Sequence, residues 1–94
     1  MFGLRNDGER FIVSIEIGKP FKWGGTSPTE WACAVKVEPF HSTTTHGEGS
    51  FQALCLALQW VRSQLNYFKE EGGLLMWENG EEWDIEVYWP VNPY

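Results

Sequence analysis

From residue 51 to about residue 69 the apolar side chains recur at a helical spacing of about 3.6, and no other stretch constrains the fold as much. Phe51, Leu54, Leu58, Val61, Leu65 and Phe68 form one stripe, widened by Ala53, Ala57 and Trp60. Gln52, Gln59, Arg62, Ser63, Asn66 and Lys69 lie mostly off it. Gly47-Glu48-Gly49-Ser50 punctuates the chain before the stripe. Ser50 is a good N-cap, because its hydroxyl can accept from a free N–H of the first turn. Gly72-Gly73 stops the helix. At ~1.5 Å per residue it spans roughly 28 Å, enough to cross one face of a small sheet.

The sheet is legible on both sides of the helix. In residues 10–18, Phe11, Val13, Ile15 and Ile17 alternate with Ser14 and Glu16, which predicts a half-buried strand. Residues 31–37 alternate again: Trp31, Cys33, Val35 and Val37 share one face, and Ala32, Ala34 and Lys36 the other. Residues 40–46 are polar but rich in β-branched Thr43, Thr44 and Thr45, which suits an edge strand. The link through Glu38 and Pro39 is either a tight antiparallel turn or a bent continuation. After the helix, Leu74 to Trp77 is a short apolar run, Asn79-Gly80 a hairpin signal, and Trp83, Ile85, Val87 and Trp89 alternate with Asp84, Glu86 and Tyr88. A terminal hairpin is the simplest reading. Residues 1–9 read as a frayed start with a turn at Asn6–Gly8. Residues 19–29, with Pro20, Gly24, Gly25, Ser27 and Pro28, read as a long loop carrying Phe21 and Trp23.

These elements predict one α+β domain over residues 1–94, with two layers. An antiparallel sheet of about 4–5 strands carries one long amphipathic helix on one face, in the order strand-strand-strand-helix-strand-strand. One helix covers one face only. The second face, with Ile12, Ser14, Glu16, Ala32, Ala34 and Lys36, is mixed and is left to water, a second subunit or a partner.

Charge narrows the partners. All seven Lys and Arg lie at or before Lys69, against six acids there, so residues 1–69 carry about +1. Residues 70–94 hold seven acids and no base, about -7. Without a basic cluster to neutralise phosphates the chain is no nucleic-acid binder. An acidic surface favours a basic partner, or simply keeps a domain soluble. Six Trp and six Phe in 94 residues build a core, and so many rings also leave some for a surface. No run approaches the ~20 apolar residues of a membrane span, and no basic stretch followed by an apolar run marks a signal peptide. The cytoplasm is the default expectation, and Cys33 and Cys55 are expected there as free, buried thiols.

No catalytic or metal constellation stands out. His41, His46 and Glu48 come nearest to a metal cluster, but His41 and His46 point to opposite faces of a regular strand. Cys33 faces inward, where a thiolate is disfavoured, and Cys55 lies a turn inside the helix. Gly24-Gly25-Thr26-Ser27 lacks the Lys of a phosphate loop and runs into Pro28. Glu81 and Glu82 are adjacent and diverge on a strand, unlike a glycosidase pair.

The segment Gly49-Ser50-Phe51-Gln52-Ala53-Leu54-Cys55-Leu56-Ala57-Leu58 resembles a group of small uncharacterised bacterial domains. In these a strand with an inward Cys, here Cys33, precedes a helix opening Ser-x-Gln-Ala-Leu and continuing Leu-Ala-Leu. The group often has Asp before the Ser, where this chain has Gly49, and the tail after Trp77 is longer and more acidic here. The resemblance implies a bacterial, cytoplasmic α+β domain and no activity.

The expected function is therefore a non-enzymatic protein-interaction module, immunity-like or an adaptor, that binds a basic protein. Its anchors would be Trp77, Glu78, Glu81, Glu82, Trp83, Asp84, Glu86, Tyr88 and Trp89. The alternative is a small-ligand-binding domain in which the 19–29 loop closes over the open sheet face, with Phe21 and Trp23 on the ligand. Neither reading calls for a cofactor, metal, nucleic acid or membrane, and both are compatible with a homodimer.

Overall fold

A computed structural model describes residues 1–25 and 27–88. The element order is β1 (Phe2–Leu4), β2 (Arg10–Ile12), β3 (Ser14–Ile17), β4 (Phe21–Lys22), β5 (Glu30–Glu38), β6 (His41–Glu48), α1 (Ser50–Glu70) and β7 (Leu74–Met76), then a 3-10 turn at Ile85–Val87. It is an α+β fold with two antiparallel sheets and one long helix.

The strand predicted over residues 10–18 serves both sheets. Its first half, β2, pairs with β1, and its second half, β3, pairs with β5. The chain bends at Val13, whose N–H donates to the Met1 carbonyl at 2.9 Å and whose side chain is buried in the core. The start of the chain is thus not frayed. β1 is the centre of a three-stranded sheet, with Phe2 opposite Ile12 on one side and Met76 on the other. Three residues with a central glycine carry no periodic signal. Gly3 is needed because the Phe11 ring lies over it, and a Cβ there would sit 2.6 Å from that ring.

The second sheet is built on β5. β6 runs antiparallel along one edge, from Val37 opposite His41 to Glu30 opposite Glu48. The link is the tight turn: Phe40 N–H donates to the Val37 carbonyl at 2.8 Å, and the Glu38–Pro39 peptide is cis. β3 and β4 share the other edge. Between Ile17 opposite Val35 and Phe21 opposite Ala32, four steps on one strand match three on the other, so the chain bulges at Lys19-Pro20. The expected 19–29 loop is therefore a loop only in part.

Helix α1 packs across β5 and β6 on the inner face. Its buried stripe is Ala53, Ala57, Val61, Leu65 and Phe68, facing Cys33, Val35 and Val37. Full burial of a side chain such as Leu65 stabilises by about 1.5–3 kcal/mol. Two details of the helix differ from expectation. Ser50 is the first helical residue and not the cap; Gly49, at φ 96°, takes that place without a side-chain bond. The side-chain oxygen of Gln52 instead accepts from the N–H of Glu48. Phe51 is also not core but 76% exposed. The stripe is built on i+4 steps from Ala53, and Phe51 falls to its flank beside Pro20 and Trp31. The alanines leave room for close approach, and so does Gly47, where a Cβ would stand 2.8 Å from the Ala53 nitrogen.

β7 pairs with β1, and the expected turn forms at Asn79-Gly80, with Gly80 N–H donating to Trp77 O. The returning strand stops after its first rungs, Met76 opposite Glu82 and Trp83 N–H to Leu75 O at 2.8 Å. Asp84 then accepts from the Glu86 N–H at 3.0 Å and caps a 3-10 turn in place of a continued strand. Trp83 and Ile85 are buried, while Val87, in the same alternation, is exposed.

Candidate functional site

Residues 77–88 wrap onto the body by two plugs, Trp83 and Ile85. The Trp83 indole is only 4% exposed and belongs to the core, so it is not a surface anchor as the sequence suggested. Large rings are sorted by whether their face of the chain meets the core, and alternation alone did not say which face that was. What the two plugs leave outside is acidic and aromatic: Glu78, Glu81, Glu82, Asp84 and Glu86 are exposed, with Trp77 and Tyr88 beside them. Trp89 lies outside the described residues.

Two helix cations answer this charge in part. Arg62 Nη2 lies 3.3 Å from Glu86 Oε1, and Lys69 Nζ lies 3.9 Å from Glu82 Oε1. Pairs this exposed contribute ~0–1 kcal/mol each. For Glu78 and Glu81 no basic side chain stands within ion-pair distance among the described residues. Asp84 is committed to the cap of the 3-10 turn.

The outer face of the second sheet is the other candidate surface. Across it run the rows Glu16–Lys36–Ser42, then Gly18–Ala34–Thr44, then Phe21–Ala32–His46. A shallow trough of about 830 Å³ follows the first two rows. At its charged end Lys36 Nζ lies 3.1 Å from Glu38 and 3.5 Å from Glu16. Glu38 first, then Glu16, hold the Lys36 ammonium above the ordinary lysine range.

Beyond the trough, on the third row, Phe21 and its neighbour Trp23 are each 43% exposed, with ring centroids 6.3 Å apart. Trp23 meets the His46 ring edge-on at 4.8 Å, and His46 Nδ1 lies 2.8 Å from Glu30 Oε2. Ala32, flanked by Phe21 and His46, is fully buried although it sits on the outer row. The structure thus brings Phe21 and Trp23 together, and adds His46 and Glu30, which the sequence reading did not join. Parity would have found them: once the Pro39 turn sets the register, residues 30, 32, 46 and 48 share a face.

His41 lies on the inner row and His46 on the outer one, and among the described residues no three His, Cys, Asp or Glu side chains converge. Cys33 is buried; burial pushes its thiol up, and its Sγ donates to the Gly18 carbonyl at 3.3 Å. Cys55 is a half-buried free thiol.

Compared with known families, residues 1–87 match a domain of unknown function, DUF6968. The chain belongs to the DUF6968 family. This agrees with the resemblance to an uncharacterised domain group. The match runs from β1 through the 3-10 turn, so the outer sheet face and residues 77–87 lie within the DUF6968 domain, and Tyr88 is the next residue. No curated protein and no solved structure matches the chain. No helix among the described residues is long and apolar enough to cross a membrane.

Proposed function

We propose that this DUF6968 domain is a non-enzymatic protein-interaction module that binds a basic protein through the surface of residues 77–88, in a bacterial cytoplasmic setting as an adaptor or immunity-like inhibitor. One observation carries the reading: Trp83 and Ile85 pin the segment to the core, and this holds its carboxylates and two exposed rings on a fixed backbone. A surface held before binding loses less entropy on association. Carboxylates steer a basic partner to it, and Trp77 and Tyr88 supply contact area at the centre of the encounter. Asp84 and Trp83 act here as structure, so the contact residues reduce to Trp77, Glu78, Glu81, Glu82, Glu86 and Tyr88.

The test compares two proteins on one lysate of the source organism. The immobilised wild-type domain should retain a basic protein at ~0.1 M salt and release it as screening grows. The Glu78→Lys, Glu81→Lys double variant should not retain it. Equal retention of that protein by both would overturn the proposal.

A second reading rests on a separate observation, the half-exposed Phe21–Trp23 pair beside the His46–Glu30 contact on the same sheet face as the trough. Here the domain binds a small ligand on the open face. Quenching of Trp fluorescence by a metabolite pool, lost in Trp23→Ala, supports it; quenching that persists in Trp23→Ala removes it.

A further inference from the structure

The outer edge of β6 is unpaired among the described residues. Which of its backbone groups are free follows from β5. The Val37 carbonyl accepts from Phe40 N–H, and the Cys33 carbonyl accepts from the Thr45 hydroxyl, both on the β6 side. The Ala34 carbonyl instead accepts from Gly18 N–H, on the β3 side. Odd residues of β5 therefore bond β6, and their partners His41, Thr43, Thr45 and Gly47 turn inward. Ser42, Thr44 and His46 turn their N–H and C=O groups outward. At Glu48 the row ends, because its N–H is already taken by Gln52.

Sheets generally blunt such an edge with Lys, Pro, a bulge or a very short strand. β6 has none of these: it is eight residues long, holds no Lys or Pro, and keeps one register along its whole length. It is also nearly free of charge in a chain of net charge -6, with Glu48 as its one carboxylate. A self-contact through the acidic residues 77–88 would oppose like charges; one at the β6 edge does not.

We propose that β6 pairs antiparallel with β6 of a second copy, about a two-fold axis at Thr44. Only registers that match outward residues to outward residues form ladder bonds. With Thr44 opposite Thr44, Ser42 meets His46 of the second copy and His46 meets its Ser42. All three outward residues of each strand are then bonded, six bonds in total. Thr43 falls opposite Thr45, a pairing that suits β-branched side chains. His41 meets Gly47, and Glu48 meets Phe40, so no charge meets its like.

The helix adds contact area on the same side. Gly47 lies close against Gln52, and Gln64 and Tyr67 line a recess of about 240 Å³ with Phe40 and His41. The flank of α1 over the β6 edge is thus Gln52, Leu56, Trp60 and Tyr67, by helical spacing. Leu56 and Trp60 are half-buried, and Tyr67 is 63% exposed. Two such flanks would meet above the seam.

The experiment is sedimentation equilibrium of the full chain over roughly 1–500 μM, since a dimer forms by mass action. The mass should rise from 10.8 kDa towards twice that value. Thr44→Lys places two ammonium groups opposite each other on the axis and should weaken association by about a hundredfold. Thr44→Glu should do the same, and an equal mixture of the two variants should restore the dimer. As an independent readout, Thr44→Cys should form an inter-chain disulfide on mild oxidation, since paired residues there stand about 5.5 Å apart. Thr43→Cys, not facing itself, should not. A wild-type chain that stays monomeric, a dimer that survives Thr44→Lys, or equal cross-linking at positions 43 and 44 would each overturn the proposal.

Discussion

The Trp83 indole stacks on the Tyr88 ring, with centroids 4.9 Å apart and planes inclined by 13°. One ring is core and the other is half outside, so their removal should have unequal cost. Trp83→Ala should lower stability by about 3–5 kcal/mol, the usual loss for a buried large ring. Tyr88→Ala should cost only about 0.5–1.5 kcal/mol, the worth of an aromatic pair beyond its area. Urea unfolding of the two variants measures both. Near-equal losses would mean that Trp83 does not pin residues 77–88 to the core.

Gly47 should be intolerant for a different reason. The atoms that a Cβ would meet are the Ala53 nitrogen at 2.8 Å and Gln52 atoms at 3.0 Å. These belong to the first turns of α1 and cannot swing aside as a side-chain tip can. Gly47→Ala should therefore destabilise by about 1–3 kcal/mol, as overpacking does. Gly24→Ala meets nothing within 4 Å and should stay within ~0.5 kcal/mol of wild type. Thermal unfolding of the pair separates packing from the general cost of changing a glycine.

The parts of this fold that a sequence can announce are those long enough to show a period. The alternation of Phe11, Val13, Ile15 and Ile17 and the helical spacing from Phe51 to Phe68 each repeat several times, and strand and helix form there, although the strand divides at Val13 and the buried stripe centres on Ala53, Ala57, Val61 and Leu65 instead of Phe51. β1 and β4 are three and two residues long, so no period can show; their existence depends on pairing with other strands, at Met76 and Ala32. The same limit explains the site. Alternation put Trp83 and Trp89 on one face but could not say that this face meets the core. The Phe21–Trp23–His46–Glu30 cluster needed the register across the Pro39 turn before it could be seen.

Burial holds the Cys33 thiol above the ordinary cysteine range. The neutral thiol suits its apolar site; the thiolate does not. Between the free thiol's titration at about pH 8.5 and the raised folded value, the unfolded chain loses this proton while the folded one keeps it. The Cys33 contribution is thus full below about pH 8.5 and is lost as pH rises further. The melting temperature should fall between pH 8 and 10, and fall less steeply in Cys33→Ala. Iodoacetamide labelling of the native protein, read by mass spectrometry, should modify Cys55 well before Cys33. Equal labelling of the two would mean that Cys33 is not sealed in the core.

Glu78 and Glu81 sit at the turn of a strongly acidic segment without a basic partner among the described residues, whereas Glu82 and Glu86 each face a helix cation. Reversing the first two removes mutual repulsion and breaks no bond of the fold, since Glu81 bonds Asn79 through its backbone N–H. Glu78→Lys, Glu81→Lys should therefore unfold within ~0.5 kcal/mol of wild type in urea, or slightly later. Glu86→Lys should be the costlier change, because it sets a second cation against Arg62, whose Nε is already buried without a hydrogen-bond partner. Raising the salt should shrink the difference between these variants, since interactions between exposed charges weaken as screening grows. This separation of stability from charge is what lets the double variant test binding. If it unfolded early, its failure to retain a basic protein would report damage to the fold, and the carboxylates of the turn would be structural.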